Sequence, residues 1–200
     1  MLLVEPSSEN PAGLAVLLHG HGARPEELLD LATVLAERTG RQVALPGGSV
    51  LTGQGDLAWW EPEAGDPAAA ATGLLERLEG LAGHTGAAAN CDTVLVGFSQ
   101  GGALASLAGA GFAATIIVAG FLPDDVANPF VAGQRLLVVH GEADDVVDPL
   151  HARRLARLAS RAGANVATVW HSGGHEWTGE CTEAVIAFLA DSADSADWPA

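Results

Sequence analysis

Short apolar runs alternate with helix-patterned segments along almost the whole chain, and this rhythm restricts the fold more than any other feature. Leu14-Ala15-Val16-Leu17-Leu18, Gln42-Val43-Ala44-Leu45, Thr93-Val94-Leu95-Val96, Thr115-Ile116-Ile117-Val118-Ala119, Arg135-Leu136-Leu137-Val138-Val139-His140 and Val166-Ala167-Thr168-Val169-Trp170 read as strands. They are short, and most are rich in β-branched residues. Most are apolar at every position and not at every second one, as expected of parallel strands covered on both faces. Leu2-Leu3-Val4 reads as a short edge strand. Helices are expected over about 25–37, 67–82, 102–107, 149–162 and 178–190. Pro25 suits a first helical turn, and Glu26, Glu27 and Asp30 suit its positive end. Residues 46–67 form a long connection carrying Trp59 and Trp60, and connections of that length usually serve function. The pattern gives an α/β fold with a mostly parallel central sheet and helices on both faces. One domain is expected over residues 1–190, followed by a polar, flexible tail over 191–200.

In such sheets chemistry gathers at the carboxyl ends of the strands. The distinctive residues fall there: His19-Gly20-His21-Gly22, Ser99, Asp144 and His175. Gly97-Phe98-Ser99-Gln100-Gly101 lies between an apolar strand and an Ala- and Leu-rich helix, the setting of a nucleophile elbow. A serine on so sharp a turn is strained, and the residues two before and two after it crowd the turn. Both positions are glycine. The chain holds 25 Gly, so the pattern alone is weak and its partners decide. A serine hydroxyl needs a base, and the base needs a group to orient it. His175 is the candidate base, in the Gly-rich loop after the last strand. His171 competes for that role but abuts the strand. Asp144 is the candidate acid, with Asp145 and Asp148 as competitors. Asp148 precedes Pro149 and suits a helix cap. Two backbone amides are needed for the oxyanion of acyl transfer. Gln100, just after the serine, and His21, in the Gly-rich turn after an earlier strand, are in the expected places. Trp59, Trp60, Leu122 and Trp177 fall in loops at the same end and are candidates for an apolar substrate site. His19 and His140 read as loop-fixing residues. A metal site from His171, His175 and Glu176 is disfavoured, because Gly173-Gly174 breaks the helix that would align the histidines. No cofactor motif is present.

The formal net charge is −16, with nine Arg and no Lys. Nucleic acid and anionic membrane surfaces are poor partners for such a chain. No apolar run reaches the length of a membrane span. The first residues lack a basic leader with a long apolar segment, so a cytoplasmic location is the expectation. Cys91 and Cys181 are the two cysteines, expected as reduced thiols and not as a bridge.

The ordered set Leu18-His19-Gly20-His21-Gly22, Trp59-Trp60, Gly97-Phe98-Ser99-Gln100-Gly101-Gly102, Gly120-Phe121-Leu122-Pro123, His140-Gly141-Glu142-Ala143-Asp144 and Gly174-His175-Glu176 resembles the phospholipase/carboxylesterase family of small α/β-hydrolases. The bacterial carboxylesterases and the acyl-protein thioesterases belong to that family. The resemblance runs from about Leu14 to Leu189. It implies an α/β-hydrolase fold and hydrolysis of small-molecule esters or thioesters without a cofactor. The chain shows no large insertion that would form a lid, and a monomer or homodimer is expected. The family's pattern of His-Gly, two residues, then the catalytic Asp falls on Asp144. Ala23-Arg24 departs from the Gly and Asp common after His21. Within hydrolases, a thioesterase or lysophospholipase is the alternative to an esterase. From another class, the alternative is a catalytically silent fold that binds a ligand.

Overall fold

In a computed structural model of the chain, residues 1–53, 55–85 and 92–191 are described. Cys91, most of the small-residue loop before it and residues 192–200 of the expected tail lie outside them. The elements in order are β1 (Leu2–Val4), β2 (Leu14–Leu18), α1 (Leu29–Thr39), β3 (Gln42–Leu45), β4 (Val50–Leu51), β5 (Leu57–Ala58), α2 (Pro67–Thr85), β6 (Thr93–Phe98), α3 (Gln100–Ala108), β7 (Ala114–Val118), β8 (Arg135–Gly141), α4 (Pro149–Arg161), β9 (Asn165–His171) and α5 (Gly179–Ala190). Seven strands form one sheet in the order β1-β3-β2-β6-β7-β8-β9. Only β1 runs antiparallel to its neighbour.

The continuous apolar strands are buried on both faces, as their sequence requires. In β2, Leu14, Val16 and Leu18 join a core with α2, α3 and α4, while Ala15 and Leu17 join a second core with α1 and α5. All five β2 residues are buried. Each large apolar side chain withdrawn from water in this way stabilises by about 1.5–3 kcal/mol. Cys181 is a buried free thiol in the first turn of α5. Among the described residues, no helix is long and apolar enough to cross a membrane.

Two segments differ from the sequence reading. The expected helix over 25–37 is a 3-10 turn, Pro25–Leu28, followed by α1, which runs on to Thr39. The Glu27 carboxylate accepts from the Arg24 amide at 2.9 Å and tightens that first turn. The long connection also carries a small hairpin. Strand β4 pairs with β5, and Leu57 bridges back to Ala23. Strands of two residues leave too little periodicity to be read from sequence.

The strand order explains where the site lies. From β2 the chain moves outward to β3, then returns to β6 on the other side of β2 and proceeds to β9. The order reverses between β2 and β6, which opens a crevice at their carboxyl ends. Leu18 pairs with Gly97, so the turn after β2 runs beside Phe98 and Ser99.

Candidate active site

Ser99 links β6 to α3 with φ 54° and ψ −118°. A non-glycine residue in such a region costs on the order of 1–3 kcal/mol, which the surroundings must offset. They do so by close approach. A side-chain carbon at Gly97 would fall on the Gly101 carbonyl, and one at Gly101 would fall on the carbonyls of Leu18 and His19. The glycines thus let α3 press against β6 and against the end of β2. The Ser99 amide donates to the Val118 carbonyl at 2.9 Å and anchors the turn to β7.

The Oγ of Ser99 lies 2.8 Å from Nε2 of His175, and Nδ1 of His175 lies 2.8 Å from Oδ2 of Asp144. Serine, imidazole and carboxylate form one continuous hydrogen-bonded line. Its far end is dry: the Asp144 side chain is fully buried, and that of His175 is 15% exposed. Oδ1 of Asp144 accepts from the amides of Val146 and Val147 at 2.9 and 2.8 Å. Burial alone would push this carboxyl up. The Val147 amide, His175 and the Val146 amide outweigh it and hold the group below the usual carboxylate range. His140 lies alongside, its Nε2 donating to the Val147 carbonyl at 2.9 Å and standing 3.2 Å from Oδ2. Burial pushes the His140 ring below the ordinary histidine range, so it packs there as a neutral group.

Backbone contacts bring acid and base together. Past the paired residues Gly141 and His171, the loops after β8 and β9 stay joined. The Glu142 amide donates to the His171 carbonyl at 2.7 Å, and the Ala143 amide to the Gly173 carbonyl at 3.1 Å. Any side chain at Gly141 would strike the carbonyls of Gly173 and Gly174. His171 ends β9, and its Nδ1 accepts from the Gly173 amide at 3.2 Å. It shapes the loop, and the hydrogen bond to Ser99 Oγ is made by His175. Asp145 and Asp148 are exposed, and Asp148 caps α4 through the Leu150 amide at 2.8 Å. Among the described residues, no three His, Cys, Asp or Glu side chains are grouped to hold a metal ion.

Facing the serine is the turn His19-Gly20-His21. A carbon added at Gly20 would stand 3.3 Å from the Cβ of Ser99, so this backbone runs close beside the serine. The Gln100 amide opens α3 and belongs to the helix-terminal amides that lack a partner within the helix. His21 is exposed in the turn.

The four expected pocket residues separate into two kinds. Trp59, Trp60 and Leu122 are 4%, 6% and 6% exposed and belong to the core cluster that α3 joins. For the tryptophans the reason is polar as well as apolar. The Trp59 indole donates to the His19 carbonyl at 2.8 Å, and the Trp60 carbonyl accepts from the Gln100 side chain at 2.9 Å. Trp177 is half-buried, set edge-on to Phe98, whose ring flanks His175 at 5.2 Å. Phe98 was not singled out in the sequence, although its place beside the elbow serine is the signal that could have marked it.

A family model described as serine hydrolase (FSH1) matches residues 42–177, which is more than half of the chain. The chain belongs to the FSH1 serine hydrolase family. No curated protein sequence is significantly similar to it. Among solved structures, the hydrolase is similar to esterase PE8, with 23% identity and a TM-score of 0.80 over 94% of this chain and 96% of the other. The Bacillus cereus carboxylesterase shares 22% identity and a TM-score of 0.83 over 94% and 92%. Zea mays acyl-protein thioesterase 2 shares 21% identity and a TM-score of 0.71 over 94% and 96%. These likenesses show an α/β-hydrolase fold, the fold that the sequence resemblance implied.

Proposed function

We propose that this serine hydrolase cleaves carboxylic esters of small or medium acyl chains through an acyl-enzyme on Ser99. The observation that carries the reading is the unbroken line from Ser99 Oγ through His175 to the buried, ionised Asp144. Ser99 attacks the ester carbonyl while His175 Nε2 takes its proton. The carbonyl oxygen becomes an oxyanion, received by the amides of Gln100 and His21. The carbonyl re-forms, the C–O bond to the alcohol breaks, and His175 returns the proton to the leaving oxygen. Water then attacks the acyl-serine with His175 again as base, releasing the acid and restoring Ser99. Asp144 holds the imidazole in the Nδ1–H tautomer and stabilises the imidazolium. Trp177 and Phe98 supply apolar surface near the acyl group, and the buried Trp59, Trp60 and Leu122 back it. Residues 1–190 act as one domain on a small-molecule substrate.

A series of p-nitrophenyl esters of increasing acyl length, run beside the matching thioesters, tests this reading. Turnover is expected to peak at short or medium oxygen esters. A peak at long-chain thioesters would instead support the thioesterase reading, which the likeness to the maize thioesterase favours. Folded protein with no turnover on any member would support a silent binding fold.

A further inference from the structure

Three buried side chains outside the Ser99–His175–Asp144 line are joined by polar contacts that no step of the reaction uses. Gln100 stands first. Its Oε1 accepts from the Trp59 amide at 3.0 Å, and its Nε2 donates to the Trp60 carbonyl at 2.9 Å. Both ends of this amide are therefore satisfied by one dipeptide of the long connection. Trp59 passes the constraint on, its indole N–H donating to the His19 carbonyl at 2.8 Å. Its ring stacks on the His19 ring at 4.9 Å with 26° between the planes. His19 closes the set. Its Nε2 accepts from the Gly48 amide at 2.9 Å, which leaves the proton on Nδ1, 2.7 Å from the Gly20 carbonyl. Burial holds this ring below the ordinary histidine range and keeps it in that neutral state. A second tie runs in parallel, the Gly22 amide donating to the Leu57 carbonyl at 2.9 Å and the Leu57 amide to the Ala23 carbonyl at 3.2 Å.

We propose that Gln100, Trp59 and His19 form a positioning relay that fixes the spacing of the two oxyanion-binding amides. The inference rests on the acyl-enzyme reading given above. The residue donating one amide holds, with its own side chain, the segment that holds the turn donating the other. Gly101 sets the close approach from below, because an added side-chain carbon would stand 2.4 Å from the Leu18 carbonyl oxygen and 2.5 Å from that of His19. The two donors belong to different elements, the start of α3 after β6 and the turn after β2, and oxyanion stabilisation depends on their placement before charge develops. A displacement of about 1 Å in such a site can cost on the order of a hundredfold in rate. None of the three side chains needs to touch substrate, and all three are buried. They are positioning residues, and their loss should appear in the transition state and not in ground-state binding.

The test uses Trp59→Phe, which keeps an aromatic ring but removes the indole N–H, and Gln100→Met, which keeps length but removes both polar ends. Active sites are counted by fluorophosphonate labelling, so that a partly unfolded sample is not mistaken for a slow one. The relay predicts that kcat per labelled site falls roughly ten- to a hundredfold while KM stays within about twofold. Affinity for phenylboronic acid, which forms a tetrahedral anion on the serine, should weaken by the same factor as kcat/KM. A merely structural role lowers melting temperature and the labelled fraction but leaves kcat per site and boronate affinity near the parent values. That result in folded Trp59→Phe overturns the proposal, whether or not Gln100→Met folds. If the parent turns over no ester, the acyl-enzyme reading fails by itself. The relay is then judged by the His21 amide resonance, which must shift in Trp59→Phe. An unshifted resonance overturns the proposal.

Discussion

The two halves of the site are held by different means. On the β8–β9 side, acid and base are joined by backbone hydrogen bonds between two loops, from Glu142 to His171 and from Ala143 to Gly173. On the β2–β6 side, side chains add to the backbone ties, because Gln100, Trp59 and His19 link the start of α3 to the turn opposite the serine. Backbone contacts tolerate a change of side chain as long as no new atom intrudes. Side-chain contacts are lost with the residue that makes them. The same substitution logic therefore predicts different tolerances on the two sides.

The largest expected effect is on the backbone-held side, where one atom matters. Asp144→Asn should fold and reduce kcat by roughly 10³- to 10⁴-fold, because the imidazole loses its tautomer control. Steady-state assay beside a circular dichroism spectrum checks this. Gly141→Ala comes next. Its added carbon meets the Gly173 and Gly174 carbonyls, which cannot move without parting the loops. A loss of about a hundredfold in kcat/KM is expected. A near-normal Gly141→Ala would show that the joined loops do not set the geometry.

Acid stability sharpens the comparison further. The Asp144 carboxyl is depressed in the folded state. A depressed carboxyl adds stability that is fully present above its unfolded value, about 3.9, and is lost as pH falls through the folded one. The melting-temperature gap between the parent and Asp144→Asn should therefore be constant above about pH 5 and shrink below about pH 4. Calorimetry across that range measures it, and a gap that widens in acid would contradict the assignment. Smallest is Gly22→Ala on the side-chain-held half. Gly22 has φ +71°, but nothing lies within 4 Å of an added carbon. Strain alone should cost about 1 kcal/mol of stability, with kcat within roughly threefold of the parent. Thermal melts and kcat together read out this variant.

These differences also mark what could be read from the sequence. The strands and the positions of Ser99, Asp144 and His175 were legible because periodicity, glycine spacing and strand ends are local signals. Joining them in space followed from the parallel sheet. The depth at which the tryptophans sit was not legible, for a physical reason. An aromatic pair in a long connection has the same sequence signature whether its rings are exposed or, as with Trp59 and Trp60, buried with the core. The hairpin of β4 and β5 was hidden because two-residue strands carry no period. His140 was legible as a loop-fixing residue, and its bond to the Val147 carbonyl agrees. Its approach to Asp144 was not legible, because that depends on how the following loop turns back.

The central claim is that Ser99 is the nucleophile and that His175, oriented by Asp144, activates it. Intact-mass spectrometry after a brief exposure to a fluorophosphonate tests it most directly. One adduct per chain is predicted, mapped by peptide digestion to Ser99, absent from Ser99→Ala and formed at least a hundredfold more slowly in His175→Ala. An adduct on another residue, or folded parent protein that takes up none, would contradict the claim.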